Sequence, residues 1–521
     1  MCGIFCVFSN QKSLNKDDLI KEGNKIRHRG PDSTKVLQDN NYFLMFHRLA
    51  INGLTEKSNQ PMIIEQYSDV VLMANAEIYN YKQLAEKYNI TLFSDSDCEI
   101  IIHLYKQLGI DRCIKELDGV FSFIILDKSK NTIVVGHDPI GIRSLYWSTN
   151  NGLYIASELK SLVNITTDIK MYPPGTYTIY TMDTNEFTNN VYYQLPNEIK
   201  YTDDNSIIDM IKEKLTNAVK KRLLSDRKIG CLLSGGIDSS IITLLTSEIL
   251  GPNNLKTFSI GLKGSQDLLS AQMVADHLGT DHTTIEITEY DLLNAIPETI
   301  QQIESYDITT IRASTPMYLL SKYINTKSDI TVILSGEGAD EASGSYLYFH
   351  NAPSPKCFND ECLRLIKDVQ HFDVLRGDKT TAGNSLEIRV PFFDKEFINF
   401  YMSIDPQNKM PRENYEKFLL RKAFEDKLPK DIIWRRKDGF SDSVSNNKQS
   451  WYEIVNNQEI VKSLNNEYNY LPPPSKEATW YRNIFNEYYP NQEKILPYFW
   501  LPKWSGNQLD PSGRLIDKFD N

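Results

Sequence analysis

Residues 229–250 read IGCLLSGGIDSSIITLLTSEIL, and the nine at the centre, LLSGGIDSS (232–240), decide how the second half of the chain folds. A short apolar run meets a glycine pair, and a longer apolar run follows. That is strand, tight turn, helix. Gly235 and Gly236 allow sharp turning and close backbone approach to an anion. The helix that follows offers unpaired N–H groups and the positive end of its dipole. Ser234, Ser239 and Ser240 add hydroxyl donors, and Asp238 would suit as an oxygen ligand for a magnesium ion on the same phosphates. A capped turn without a ligand would use the same Asp and Ser residues. The lysine of GxxxxGK[ST] is missing, and that motif occurs nowhere in the chain, which disfavours γ-phosphate transfer.

The surrounding segments repeat the strand–helix alternation. KTFSIGL (256–262) is a strand, SAQMVADHLG (270–279) a helix, TTIEI (283–287) a strand, and TVILSGEGADE (331–341) a strand ending in a loop. Strands alternating with helices predict a mostly parallel α/β sheet. Ligands of such sheets bind at the carboxyl edge, where LSGEGADE brings Glu337, Asp340 and Glu341. WRRKDGFSD (434–442) puts Lys437 and two arginines in a polar loop. Beyond residue 350 the pattern is mainly helical.

The first half reads differently. VVLMANA (70–76), FSFIILD (121–127), TIVVGHD (132–138) and LYIASE (153–158) are strand-like runs, apolar on both faces, as in stacked buried sheets. The expected organisation is a first domain over 1–195, a polar linker over 196–207 (PNEIKYTDDNSI) and a second domain over 208–521.

Of 521 residues, 41% are hydrophobic and 24% charged, ordinary for a globular protein. The net charge of −11 comes without a basic block, which argues against nucleic acid. No run approaches the roughly 18 apolar residues of a membrane span, and no signal-like start is present. The seven cysteines lack zinc spacing and read as free thiols of a cytosolic protein.

The chain begins MCGIFCVF. Removal of Met1 would make Cys2 an N-terminal thiol beside its own α-amine, whose pKa near 7.7–8.0 lets it accept the thiol proton. Cys6, inside an apolar run, reads as packing. RHRGPD (27–32), FHRLAING (46–53), MANAEIYN (73–80) and SDSDCE (94–99) each set polar residues beside a strand or a glycine. They could build an α-amino-acid site. Arg48 suits a carboxylate by a bidentate fork. Glu77 and Asp97 suit an ammonium, and Asn75 can donate to an oxyanion with a neighbouring backbone N–H.

SGGxDS resembles the pyrophosphate loop of ATP pyrophosphatases. Over essentially the whole length the sequence resembles the glutamine-dependent asparagine synthetases. MCGIF, RHRGPD, HRLAI, NAEIYN, SDCE, LDGVFSF and IASELKSL carry the likeness in the first half. LLSGGIDSS, GSQDLLSAQ, YDITTIRASTPMYL, LSGEGADE, EIRVPFFDK and DPSGR carry it in the second. The resemblance implies an α+β N-terminal-nucleophile glutaminase domain of stacked antiparallel sheets, then an α/β ATP-pyrophosphatase domain. It implies Cys2, Asn75 and Glu337 as catalytic groups, and glutamine held by Arg48, Asn75, Ala76, Glu77 and Asp97. Leu232, Ser234, Gly235, Gly236, Asp238, Ser239, Ile260, Ser335 and Gly336 would hold ATP with Mg2+. Arg312, Asp340 and Lys437 would meet aspartate or its adenylate. Ammonia would travel by an internal tunnel, AMP and pyrophosphate would leave, and the assembly would be a homodimer.

The sequence departs from that pattern where Ala76 replaces a glycine. A position there with φ above zero would cost of order 1 kcal/mol with alanine, and a methyl could crowd glutamine. The alternative is a mainly ammonia-dependent enzyme with a weakened glutaminase. A β-lactam-forming relative is disfavoured by Cys2, a non-catalytic paralogue by the intact 234–239 loop, and a sugar isomerase by the SGGIDSS half.

Overall fold

The structure, a computed structural model, describes residues 1–9, 15–436, 451–462, 464, 468–506 and 511. The chain divides into two compact units. The first comprises Met1–Gln194 with Leu224–Arg227 and Ala382–Glu387. The second comprises Leu195–Leu223, Lys228–Thr381 and the chain from Ile388 onward.

Among the described residues, eleven strands build the first unit: β1 (Gly3–Phe8), β2 (Ser33–Asp39), β3 (Tyr42–Arg48), β4 (Val70–Ile78), β5 (Gly119–Asp127), β6 (Thr132–His137), β7 (Tyr146–Ser148), β8 (Leu153–Ala156), β9 (Lys170–Met171), β10 (Thr176–Thr181) and β11 (Glu186–Val191). They form two sheets, ordered β2-β3-β1-β8-β7-β9 and β11-β10-β6-β5-β4. The pairings are antiparallel, with Ile4 opposite Phe46 and Asn75 opposite Ser122. Ile4, Cys6 and Phe8 of β1 pack with Val71 and Met73 of β4 and with Ile124 of β5, so the sheets stack face to face. The strands β1 and β4 are covered on their outer faces too. Val70, Leu72 and Ala74 pack against the helices Ile100–Leu108 and Ile110–Glu116. Gly23, ending the helix Lys16–Gly23, lies against Phe5 and Met45. The β4 run therefore lacks a polar face because both faces are covered. Cys6 is a core residue.

The second unit holds a sheet ordered β14-β13-β12-β15-β16. Its strands are β12 (Ile229–Leu232), β13 (Lys256–Leu262), β14 (Asp281–Ile287), β15 (Val332–Leu334) and the edge strand β16 (Glu387–Arg389). β13 pairs with β12 and β14 in parallel, as does β15 with β12. β12 comes first in the chain, with β13 on one side and β15 on the other. Strand order therefore reverses there, and a crevice opens beyond the ends of β12 and β15. The helices Ile237–Leu250, Gln266–Leu278 and Ile308–Lys327 connect the strands.

The 196–207 stretch is part of the second unit, and its last residues are helical. Asp203 accepts a hydrogen bond from the Ser206 N–H and starts the helix Asp204–Lys221.

Ile155 on β8 is fully buried between the stacked sheets. Ile155→Ala is expected to weaken the first unit by about 2–5 kcal/mol, measured by urea unfolding. A loss below 1 kcal/mol would contradict the packing described.

Candidate active sites

In the first unit, Cys2 sits where β1 meets the edge strand β4. Its backbone nitrogen donates to Asn75 Oδ1 at 3.0 Å. The Cys2 carbonyl accepts from Arg29 Nε at 2.9 Å, and its thiol lies 3.6 Å from the Leu49 carbonyl. Arg29 is anchored by Glu158 at 2.8 Å, both fully buried. Burial works against the charge on Glu158, but Lys160, His28 and Arg29 hold its carboxyl well below the usual range. Met1 is buried, and burial lowers its α-amine to a pKa of about 5. Burial also raises the Cys2 thiol.

The alternation of β4 assigns the neighbouring groups. Leu72, Ala74 and Ile78 turn their backbone groups to the open edge of the sheet. Leu72 pairs there with Met62, Ala74 with the Gln60 side chain, and the Ile78 N–H with Asp97 Oδ2 at 2.6 Å. Backbone direction repeats every second residue, so the Ala76 N–H shares that edge. Asn75 Nδ2 is buried without a hydrogen-bond partner among the described residues. Two donors thus stand together beside Cys2, as an oxyanion site requires.

The same alternation sends the Ala76 methyl to the helix-side core, opposite the face carrying Asn75 and Glu77. Ala76 is absent from the positive-φ positions. The strain and crowding considered from the sequence therefore do not arise.

Glu77 accepts from Asn52 Nδ2 at 2.6 Å. Gly53, at φ +70°, lies so close to Asp95 and Ser96 that a Cβ would clash, which joins the 46–53 and 94–99 segments. The Arg48 guanidinium donates to the Thr55 carbonyl at 2.9 Å, to Asn59 Oδ1 at 3.0 Å and to the Gly53 carbonyl.

In the second unit a cavity of about 270 Å³ lies at the crevice. Leu232, Ser234, Gly236, Asp238 and Ser239 line it from the β12 side, and Ile260 from β13. Ser335, Gly336, Glu337 and Asp340 line it from the loop after β15. A Cβ on Gly336 would lie 2.7 Å from the Ser239 nitrogen, so the two loops need glycine to meet. Ser234 and Ser239 close the glycine turn on itself, their hydroxyls 3.1 Å apart. Gly235 is behind the wall, its carbonyl accepting from Arg435 at 3.3 Å.

Glu337 pairs with Arg376 at 3.2 Å, and its Oε2 has no partner among the described residues. Burial, only partly offset by Arg376, raises its pKa to about 7. Lys417 bridges Asp238 Oδ2 and Asp340 Oδ1, 2.5 Å from each.

Arg312 does not line this cavity and is fully buried in a pair with Glu477, because a guanidinium at that depth needs a carboxylate. Lys437 lies outside the described residues. Sequence reasoning passed over Arg376, Asp373 and Lys417, which all line the cavity. Asp373 and Arg376 sit in the helix Asp373–Ala382 and Lys417 just before the helix Phe418–Ala423, with no glycine turn to mark any of them. Arg29 stood in the quoted RHRGPD, but its role as anchor was not legible there.

An amidotransferase-like unit joined to an α/β nucleotide-site unit defines a two-site, nitrogen-transferring enzyme. Residues 1–207 match the glutamine amidotransferase domain family, and 210–359 with 353–510 match the asparagine synthase family. The chain is 39% identical to asparagine synthetase [glutamine-hydrolyzing] of Rattus norvegicus, spanning 100% of this chain and 99% of the relative. The Homo sapiens relative of the same name is also 39% identical, with the same coverage. The probable asparagine synthetase [glutamine-hydrolyzing] of Acanthamoeba polyphaga mimivirus is 40% identical, over 99% of this chain and 100% of the relative. The chain belongs to the family of glutamine-hydrolysing asparagine synthetases.

Ala76→Gly removes a core methyl from a strand. It is expected to cost about 1–2 kcal/mol of stability and to leave kcat/KM for glutamine within about twofold. A tenfold gain in kcat/KM would show that the methyl crowds the substrate.

Proposed function

We propose that this protein makes asparagine from aspartate, ATP and glutamine, the first site releasing ammonia and the second consuming it. The observation that carries the reading is the Cys2 nitrogen fixed on Asn75 Oδ1, with Asn75 Nδ2 and the Ala76 N–H facing the same space. With Met1 removed, that nitrogen is an amine able to take the thiol proton. The thiolate attacks the glutamine side-chain carbonyl. The two donors bind the oxyanion, ammonia leaves, and water frees the acyl enzyme. Glu77 and Asp97 meet the α-ammonium, and Arg48 both meets the carboxylate and holds the 53–59 loop. The unstrained backbone at Ala76 favours this over a mainly ammonia-dependent enzyme.

In the second site the aspartate side-chain carboxylate attacks the α-phosphate of ATP, giving an aspartyl adenylate and pyrophosphate. Adenosine lies along Leu232, Ile260, Ser335 and Gly336, with the phosphates at Ser234, Gly235, Gly236 and Ser239. Ammonia then displaces AMP. Glu337 carries an unpartnered oxygen and a pKa of about 7, which suits a base that takes the ammonium proton. Arg376 and Asp340 face the aspartate, with Lys437 on the phosphate side.

The residues present fit Mg2+. Two hard oxygen donors, Asp238 and Asp340, converge on one point where an ammonium now stands. No group of three or more His, Cys, Asp or Glu residues forms a metal cage among the described residues, so ligands from the polyphosphate and water would complete the shell. When bound, Mg2+ neutralises charge on the polyphosphate.

We assign the enzyme to the cytosol on its seven free thiols; no helix among the described residues is long and apolar enough to cross a membrane. A homodimer is carried over from the resemblance alone.

Cys2→Ala is expected to lose all glutamine-dependent synthesis while keeping ammonia-dependent synthesis, with one AMP and one pyrophosphate per asparagine. ADP as the nucleotide product would overturn the adenylate step. Glu337 is neutral below its pKa of about 7 and ionised above it. Ammonia-dependent synthesis at constant free NH3 therefore rises about tenfold per pH unit on the acid side and levels above pH 7. Glu337→Gln removes that limb; a limb unchanged in the variant would assign it to another group.

A further inference from the structure

Lys417 has a placement that neither the fold nor the proposed steps account for. It is 2% exposed, between Glu416 and the helix Phe418–Ala423. Its backbone is left-handed, at φ +59°, a conformation that disfavours a side chain as large as lysine. The adjacent Glu416 is engaged by Arg421 at 2.5 Å. The Lys417 ammonium reaches 2.5 Å from both Asp238 Oδ2, in the glycine loop, and Asp340 Oδ1, after β15. Ser345 donates from its hydroxyl to the same Asp340 oxygen, and its backbone N–H donates to the Asp340 carbonyl at 3.2 Å.

Two carboxylates converging on one point in a buried crevice repel each other and attract a cation. In the structure the Lys417 ammonium occupies that point, bonded to one oxygen of each carboxylate. Lys417 sets a positive charge between the two carboxylates, which weakens their pull on a free divalent ion. MgATP brings its own metal together with oxygens that can receive the ammonium.

We propose that Lys417 is a positioning residue, the resident counter-cation of the pyrophosphate loop. It aligns Asp238 and Asp340 in the empty site and yields them to the metal that arrives with ATP, so that the site takes a divalent ion only in company with nucleotide. The inference rests on the ATP-binding reading of this cavity.

The test uses Mn2+ as a paramagnetic stand-in for Mg2+, followed by electron paramagnetic resonance on the full chain. Wild type without nucleotide is expected to show no site tighter than millimolar, and one Mn2+ per chain once a non-hydrolysable ATP analogue is added. Lys417→Met is expected to acquire a nucleotide-free Mn2+ site at least tenfold tighter than wild type. That site disappears when Asp340→Asn is added. Free Mn2+ should raise the Tm of Lys417→Met and leave that of wild type unchanged, which also reports whether the variant folds. A folded Lys417→Met without the new site overturns the proposal. So does a wild-type chain that binds Mn2+ equally well with and without nucleotide, a measurement that needs no variant. Asparagine and AMP formation by wild type is scored separately. A nucleotide-free site in a chain that makes both removes only the role of Lys417, whereas ADP formation removes the reading beneath it.

Discussion

One constraint governs the first unit: β4 is an edge strand buried on both faces. Period-two alternation then leaves each residue a single job. Even-numbered side chains from Val70 to Ile78 enter the helix-side core, while Asn75 and Glu77 turn to the opposite face. The backbone of the even-numbered residues looks out over the free edge. Shifting the register by one residue would bury Asn75 and Glu77 under the helices and turn the Ala76 methyl toward Cys2. The paired register with β5 prevents that slip. The two donors beside Cys2 are thus a by-product of how a buried edge strand packs.

Buried charge is handled alike in both units. Each site contains a cation held by carboxylates at depth: Arg29 by Glu158 in the first, Lys417 by Asp238 and Asp340 in the second. Removing one partner of such a pair strands the other without water, which is far costlier than losing an exposed pair. The geometry around each is therefore stiff. Arg29 passes that stiffness to the Cys2 carbonyl, and Lys417 to two carboxylates from different loops. Glu337 is the contrasting case. Its salt bridge leaves one oxygen without a partner among the described residues, so burial dominates and its pKa rises to about 7.

The sequence carried most of the fold and much of both sites, for identifiable reasons. Strand–glycine–helix punctuation is local, so the β12 turn and the loop after β15 could be read directly. Runs apolar on both faces pointed to stacked sheets, and the sheets stack. Residues beside glycine turns were equally legible, since a turn at a strand end presents its neighbours to a ligand. The pairing of Arg312 was not legible because its segment is helical, and only the position of Glu477 decides which way a guanidinium on that helix is drawn. Lys417 and Arg376 were passed over because a basic residue within a helical pattern looks like any solvated face.

By itself the sequence determined the two-part architecture, the thiol next to the first residue, and the glycine turn between β12 and its helix. These follow from periodicity and from backbone freedom, which act over a few residues. Tertiary structure decided the direction of the Ala76 methyl, the occupation of Arg48 by the 53–59 loop, and the meeting of Asp238 and Asp340 on Lys417. Each depends on where segments far apart in the chain are brought together. Direction and pairing at depth are set by packing and by the cost of an unpaired charge, and neither is written in any one stretch of residues.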